Sequence, residues 1–241
     1  MSVDSGNPLI AARDMTRILP GIVPVTLVHD INLDIGDNEF VAITGPSGSG
    51  KSSLLYLLGL LDMPTTGEVL IRGRATAHMD EDERAMTRLA TLGFVFQFHF
   101  LLPEFSALEN VMLPMRALAK LTAGAMRERA ASLLESLGLA DHIHKRPDQM
   151  SGGQRQRVAV ARSLANDPPL ILADEPTGSL DSHSSEQVFS ILRDLVDSRG
   201  KTVVAVTHDL DLAARMDRRL HLIDGAIVND AAASTPVAAS P

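Results

Sequence analysis

No cysteine occurs in the 241 residues. Disulfide scaffolds, thiolate nucleophiles and cysteine metal centres are therefore excluded. Nor is there an excess of basic charge. The formal net charge is −8, which argues against a nucleic-acid partner, because such domains usually carry a basic patch. Long apolar runs are missing too. The most apolar stretch, "LLYLLGLL" at residues 54–61, falls far short of the about 20 residues that cross a bilayer, and reads as a buried helix. The N-terminus "MSVDSGNPLI" lacks a basic segment followed by an apolar one, so no secretory signal is expected. Neither a His-Glu-x-x-His spacing nor an internal repeat is present, and His142 and His144 read as surface residues. The expected location is the cytoplasm, unless a partner holds the chain at a membrane.

What is present is an alternating α/β pattern. Apolar residues make up 45% of the chain, enough for a sizeable core in one large domain or a domain with a subdomain. Residues 1–8 and the Ala/Ser/Pro-biased end from 230 to 241 read as disordered tails, which leaves 9–229 as the folded unit. "NEFVAITG", "GEVLIRG", "GFVFQ", "PLILAD" and "TVVAVTH" read as strands. The aliphatic runs ending in polar residues suit strands buried on both faces of a parallel sheet. A helix is expected from Lys51 to about Leu61, and another over "SSEQVFSILRDLV", with Val188, Ile191, Leu192 and Leu195 on one face. Residues 103 to 165 carry helix signals only. Ser106 and Glu109 fit a capping box, and Met126, Ala130, Leu133, Leu134 and Leu137 recur at helical spacing before Gly138. The expectation is an α/β fold with a mostly parallel sheet and an inserted helical subdomain at about 103–165.

Chemistry enters with "GPSGSGKS", residues 45–52, which matches the phosphate loop G-x-x-x-x-G-K-[ST] and lies between an expected strand and an expected helix. Gly45, Gly48 and Gly50 let the backbone turn its N–H groups toward phosphate oxygens. Lys51 can reach β- and γ-phosphates, and the Ser52 hydroxyl suits Mg²⁺. The strand "LILAD" delivers Asp174 and Glu175 at its end. Alternation sends adjacent side chains to opposite sides, so the two carboxylates have different jobs. Asp174 is assigned to the metal and Glu175 to the attacking water as general base. His208 follows another strand end, where ligands of parallel sheets bind. "SGGQ" at 151–154 begins a further helix, with Ser151 as the expected N-cap and two glycines permitting close approach. Its apolar positions are Val158, Ala161, Leu164 and Ala165.

Phosphate loop, Gln97 after "GFVF", "SGGQ", "LILADE", "GSLD" and His208, in this order, resemble the ATP-binding cassette ATPases over residues 10–228. The resemblance implies a phosphate-loop NTPase core with an additional β subdomain and a helical subdomain, binding ATP and Mg²⁺. The backbone and side chains of Gly45, Pro46, Ser47, Gly48, Ser49, Gly50, Lys51, Ser52 and Ser53 would hold the nucleotide, with Ser52, Gln97 and Asp174 about the metal. Gln97 would also contact the attacking water, and His208 the γ-phosphate. Two chains would pair head to tail, so that Ser151, Gly152, Gly153 and Gln154 of one cover the γ-phosphate held by Lys51 of the other. Asp181 would bridge the two sites.

"LLGLLDMPTTGEV", "GFVFQFHFLLPEFSALENVMLP" and "ADEPTGSLDS" resemble one branch, the ATPases of lipoprotein-releasing and macrolide-exporting transporters. Cell-division ATPases that signal through a membrane partner without moving a substrate share much of this pattern and stand as the alternative. The branch implies a transmembrane permease partner and a place on the cytoplasmic face of the membrane. Five of the seven phenylalanines lie between 94 and 105. Phe94 and Phe96 are expected to face the core, whereas the stretch from Phe98 to Phe105 reads either as packing between the core and the helical subdomain or as a partly exposed groove that receives a permease helix. Two departures stand out. Met150 replaces the usual Leu, a mild change. The aromatic that the family places before the phosphate loop to stack on adenine is absent; Ile18 or Leu19 stands there. Base stacking is thus expected to be weak or supplied by Arg17, and the only tyrosine, Tyr56, is assigned to the buried helix.

Overall fold

The computed structural model describes residues 7–232. Ten strands and seven helices build two sheets with helices between and beside them. The six-stranded sheet has the order β10 (Ala226–Ala232), β9 (Arg218–Ile223), β3 (Phe40–Thr44), β8 (Thr202–Val206), β7 (Leu170–Asp174), β6 (Leu92–Phe96). All neighbours are parallel except the β9–β10 pair. The second sheet is antiparallel, in the order β2 (Val25–Ile35), β1 (Ile10–Leu19), β4 (Thr66–Ile71), β5 (Arg74–Ala75).

The central strands are apolar throughout because both faces are covered. Phe40, Ala42, Ile171, Ala173, Val203 and Ala205 enter one core. Their neighbours Val41, Ile43, Leu170, Leu172, Val204 and Val206 enter the other. That second core is closed by α1 (Lys51–Leu58), which packs between the two sheets through Leu54, Leu55, Leu57 and Leu58. The helix ends three residues before the expected Leu61. Gly59 caps it and Leu60 turns to a φ of 55°, which a continuing helix cannot accommodate.

On the opposite face lie α3 (Ala107–Leu118), α4 (Ala123–Ser136) and α5 (Gly152–Ser163), joined by short helical turns at Ala140–His142 and Pro147–Gln149. The box at Ser106 and Glu109 is formed by both hydrogen bonds. Helix α6 (Ser182–Asp197) buries Val188, Leu192 and Leu195 as the spacing implied. Phe189 and Val196 join them, and Ile191 lies at the margin. Helices α2 (Glu81–Thr91) and α7 (Leu210–Ala214) complete the α-helices of the described residues.

Two strand pairs depart from simple patterning. In β1, Asp14 takes a φ of 45°, and its pairing with β2 slips register between Ala12 and Met15. In β2, Asp30 takes a φ of 53°. Such bulges break the period-2 signal. At the other end, β10 continues through residues 230–232, which were expected to belong to a loose tail. Ala232 pairs with Arg218, whose guanidinium grips Asp230 at 2.6 and 2.7 Å. Ladder hydrogen bonds and a bidentate ion pair thus order a stretch with little apolar surface. The remaining tail expectations concern residues outside the described ones, apart from Asn7 and Pro8, which precede β1 without regular structure.

Asn110, fully buried in α3, fastens the segment after β6. Its Oδ1 accepts from Leu102 N at 2.8 Å, and its Nδ2 donates to the carbonyls of Leu102, Phe105 and Ser106 at 3.0–3.1 Å. Replacing Asn110 by Ala strips several buried backbone groups of their partner at once. Chemical denaturation is expected to show a loss of about 2–4 kcal/mol; a loss within about 0.5 kcal/mol would show that the network is solvated.

Candidate functional site

The carboxyl ends of β3, β6, β7 and β8 lie at one edge of the parallel sheet, and the expected site residues follow them. The loop after β3 turns through Gly45 (φ 146°), Gly48 (φ 80°) and Gly50 (φ 93°) into α1. A Cβ on Gly45 would meet Leu222 O at 2.1 Å, and one on Gly50 would meet Leu27 O at 2.3 Å. Both strands flanking the loop therefore demand glycine. Gly48 has open space where its Cβ would stand. The loop ends at the N-terminus of α1, where unpaired N–H groups and the helix dipole favour an anion. Lys51 Nζ folds back over the loop, donating to Gly45 O at 2.9 Å and Pro46 O at 2.7 Å. The Ser49 hydroxyl is buried without a hydrogen-bond partner.

Asp174 joins α1 to β7. Ser52 Oγ donates to its Oδ1 at 2.9 Å, and Tyr56 OH donates to its Oδ2 at 2.8 Å. Burial, followed by the bond to Asp174, pushes the Tyr56 phenol up to about 12, so it remains a donor at neutral pH. Glu175, one residue on, has a φ of 46° and donates its N–H to Val206 O at 3.0 Å. This left-handed turn carries its carboxylate away from that of Asp174, consistent with a strained functional position. Glu175 Oε2 lies 3.0 Å from Nδ1 of the exposed His208. Gln97, just past β6, completes the group. A Cβ on Gly178 would stand 3.0 Å from Glu175 Oε2 and 3.1 Å from Gln97 Nε2, so the amide and the carboxylate converge on one point. Ser179 Oγ donates to Gln97 O at 3.1 Å and holds the turn there.

Lys51, Ser52, Gln97, Asp174, Glu175 and His208 are thus neighbours, whereas residues 151–154 belong elsewhere. A cleft of about 360 Å³ at the loop is lined by Val25, Thr26, Leu27, Ser47, Gly48, Gly50, Lys51, Ser52, Ser53 and Glu175. Ser151 caps α5, with Gln154 returning the bond to the Ser151 N–H. Gly152 lies beside Leu180, and a Cβ on Gly153 would meet Ser184 Oγ at 2.6 Å. Asp181 caps α6 through Ser184 N at 2.9 Å, and that N–H holds its carboxyl below the usual range. The second glycine-lined helix start therefore packs against α6 and leaves Ser151 exposed.

Several expectations need correction. Arg17 cannot serve the cleft as placed, because its Nε is bonded to Asp62 at 2.8 Å. The apolar wall of the cleft comes from Val25 and Leu27 of β2; Val25 is the register partner of Leu19, and neither Ile18 nor Leu19 lines the cleft. His142 is half-buried rather than superficial, and its Nε2 accepts from Gln154 Nε2 at 2.8 Å. Phe94 and Phe96 do not simply face the core. They stack on each other at 5.9 Å and line a groove of about 340 Å³ with Leu61, Leu89, Pro114 and Arg162. Tyr56 reaches the site instead of vanishing into the core. The signal was available, since Tyr56 is four residues after Ser52 and such positions share a helix face.

The donor set fits a magnesium-bound nucleotide. Mg²⁺ takes hard oxygen ligands, typically one or two from protein and the rest from phosphates and water. Ser52 and Asp174 supply that pair, and among the described residues no three His, Cys, Asp or Glu groups form a cage of their own. A glycine loop on a helix start, a hydroxyl–carboxylate pair and a separate carboxylate beside histidine define a phosphate-loop ATPase site.

Comparisons with known proteins agree with this class. Residues 28–178 match the ABC transporter family model. The chain is 53% identical over 211 residues to the lipoprotein-releasing system ATP-binding protein LolD of Anaeromyxobacter dehalogenans, covering 88% of this chain and 87% of that protein. It is 48% identical over 236 residues to the macrolide export ATP-binding/permease protein MacB 1/2 of Paracoccus denitrificans, covering 98% of this chain and 35% of that longer protein. A dimeric post-hydrolysis structure of the ATP-binding cassette MJ0796 bound to ADP and Pi superimposes with a TM-score of 0.87 at 41% identity, covering 94% of this chain and 99% of that one. The chain belongs to the ABC transporter family, and its fold is that of an ATP-binding cassette.

The glycine requirement of the loop is testable without a ligand. Gly50→Ala forces an L-residue into the left-handed region and its Cβ against Leu27 O. Thermal or chemical unfolding is expected to register about 2 kcal/mol or more of destabilisation; an unchanged midpoint would contradict this geometry.

Proposed function

We propose that the chain is the ATP-hydrolysing subunit of a membrane transporter of the lipoprotein-releasing or efflux type. The observation that carries this reading is the convergence of Lys51, the Ser52–Asp174 pair and the Glu175–His208 pair at one sheet edge, with Gln97 beside them. The similarity to lipoprotein-releasing and macrolide-export ATP-binding proteins supports the transporter type.

Residues 45–53 hold the phosphates through backbone N–H groups, and Lys51 neutralises charge at their far end. Ser52, Asp174 and Gln97 would hold Mg²⁺, which would offset the negative charge that develops on the phosphate during transfer. Glu175 takes the proton of the attacking water, and its bond to His208 fixes the direction of the carboxylate. His208 itself would contact the γ-phosphate. Val25 and Leu27 give the base an apolar rather than an aromatic wall.

Ser151 and the glycines after it present an anion-binding helix start to the outside of their own chain. A second copy in head-to-tail arrangement supplies what each site lacks, with Asp181 near the seam. The dimeric cassette structures support pairing of two copies. None of the described helices is long and apolar enough to cross a membrane; the path across it belongs to the permease partner. Its docking segment meets the groove of Phe94 and Phe96 beside the exposed Phe98, Phe100 and Leu102. The likeness to lipoprotein-releasing and macrolide-export ATP-binding proteins supports a place on the cytoplasmic face of the membrane, through that permease. The folded unit is 9–232, with 103–165 as the helical subdomain.

Glu175→Gln tests the base. An amide cannot accept the proton, so hydrolysis is expected to fall about 10²- to 10⁴-fold while ATP binding persists. Turnover within a few-fold of the unmodified chain would remove Glu175 from the role.

The split site has its own test. The Glu175→Gln chain, slow to clear ATP, is expected to accumulate as an ATP-dependent dimer in light scattering. Adding Ser151→Arg is expected to abolish the dimer and leave the nucleotide affinity of the monomer unchanged. Loss of binding to the monomer would mean that both phosphate-binding ends act within one chain.

A further inference from the structure

Tyr56 reaches the site, yet its part in the chemistry has no assignment above. Its hydroxyl donates to Asp174 Oδ2 at 2.8 Å while Ser52 donates to Oδ1 at 2.9 Å. The two oxygens of one carboxylate thus have separate partners on successive turns of α1. The phenol ring is held in turn. Phe96, the register partner of Asp174 across β6 and β7, stands edge-on to it with ring centres 6.4 Å apart. A carboxylate bonded only through Oδ1 could rotate about its Cβ–Cγ bond and exchange its oxygens. One fixed at Oδ2 keeps Oδ1 turned to Ser52.

We propose that Tyr56 is a positioning residue for the metal-binding carboxylate, holding Asp174 so that Oδ1 and the Ser52 hydroxyl face the cation together. This rests on the reading that Ser52 and Asp174 take Mg²⁺. Tyr56 touches neither metal nor phosphate; it acts by removing one rotational freedom from the group that does. Partners of this kind, bonded to a metal ligand rather than to the metal, commonly change metal affinity or activity by 10- to 100-fold when removed.

The sequence supplies a probe. Tyr56 is the only tyrosine, and there is no tryptophan, so tyrosine emission from the full chain reports this hydroxyl alone. A phenol bonded to a carboxylate is quenched in its excited state. A cation on Oδ1 draws electron density from Oδ2, weakens that bond and raises emission.

The experiment titrates Mg²⁺ into the full chain saturated with ADP, followed by tyrosine emission and by calorimetry. Emission is expected to rise with the midpoint that calorimetry gives. In Tyr56→Phe, which keeps the ring, calorimetry is expected to show Mg²⁺ affinity about tenfold weaker, with metal-free ADP affinity unchanged. Emission that ignores Mg²⁺ while calorimetry records its binding would overturn the proposal, and this arm needs no variant to fold. Wild-type Mg²⁺ affinity in a folded Tyr56→Phe would overturn it as well. Asp174→Asn separates the two layers: if it retains wild-type Mg²⁺ affinity, the metal reading itself fails, whereas a loss there with none in Tyr56→Phe sinks the positioning role alone.

Discussion

The carboxylate of Asp174 ties the phosphate-loop helix to the sheet. Through Ser52 and Tyr56 it fixes α1 against the end of β7, and α1 is the element on which the two sheets close. The remainder of the site is built outward from that joint. Glu175 leaves β7 by a left-handed turn, and the adjacent carboxylates have different partners: Asp174 bonds Ser52 and Tyr56, Glu175 meets His208. The parallel register then brings Gln97 from β6 and His208 from β8 to the same edge. Ser52, Gln97, Glu175 and His208, remote from one another in sequence, become neighbours because β3, β6, β7 and β8 end together.

A second constraint links this edge to α5. Gln156, buried in α5, donates to Phe96 O at 3.0 Å, and Arg162 donates to His99 O and Phe100 O at 2.7 Å each. The helix that begins at Ser151 thereby grips the backbone on both sides of Gln97. The same segment carries Phe98 and Phe100 to the surface, with Phe100 strained at a φ of 45°. A partner resting on those rings, a nucleotide sensed by Gln97 and a second copy facing Ser151 would all act on one short stretch of chain. Stiff hydrogen bonds to its backbone give such forces a path.

Much of this was legible in the sequence, and the exceptions have physical reasons. The parallel strands were readable because burial on both faces makes them aliphatic throughout. Phosphate loop, Asp174 and Glu175 were readable because their spacing follows from the chemistry of phosphate and metal. Strands β1 and β2 escaped because positive-φ aspartates break their alternation, and β10 because hydrogen bonds and an ion pair order it where apolar burial does not. Tyr56 was set aside as core because its helix is apolar around it; only its spacing from Ser52 betrays the shared face. Arg17 was offered to the base because no sequence pattern shows that Asp62 holds it.

Whether each site is completed by a second chain is tested most directly by mixing two disabled proteins. Lys51→Ala removes the phosphate-loop cation, and Ser151→Arg blocks the helix start; each alone should be nearly inert in ATP hydrolysis. In a head-to-tail dimer of one with the other, both lesions fall in the same site and the second site is whole. ATP turnover is therefore expected to reappear on mixing and to peak near equal amounts. If no mixing ratio restores turnover while the two proteins demonstrably associate, the site is not divided between chains.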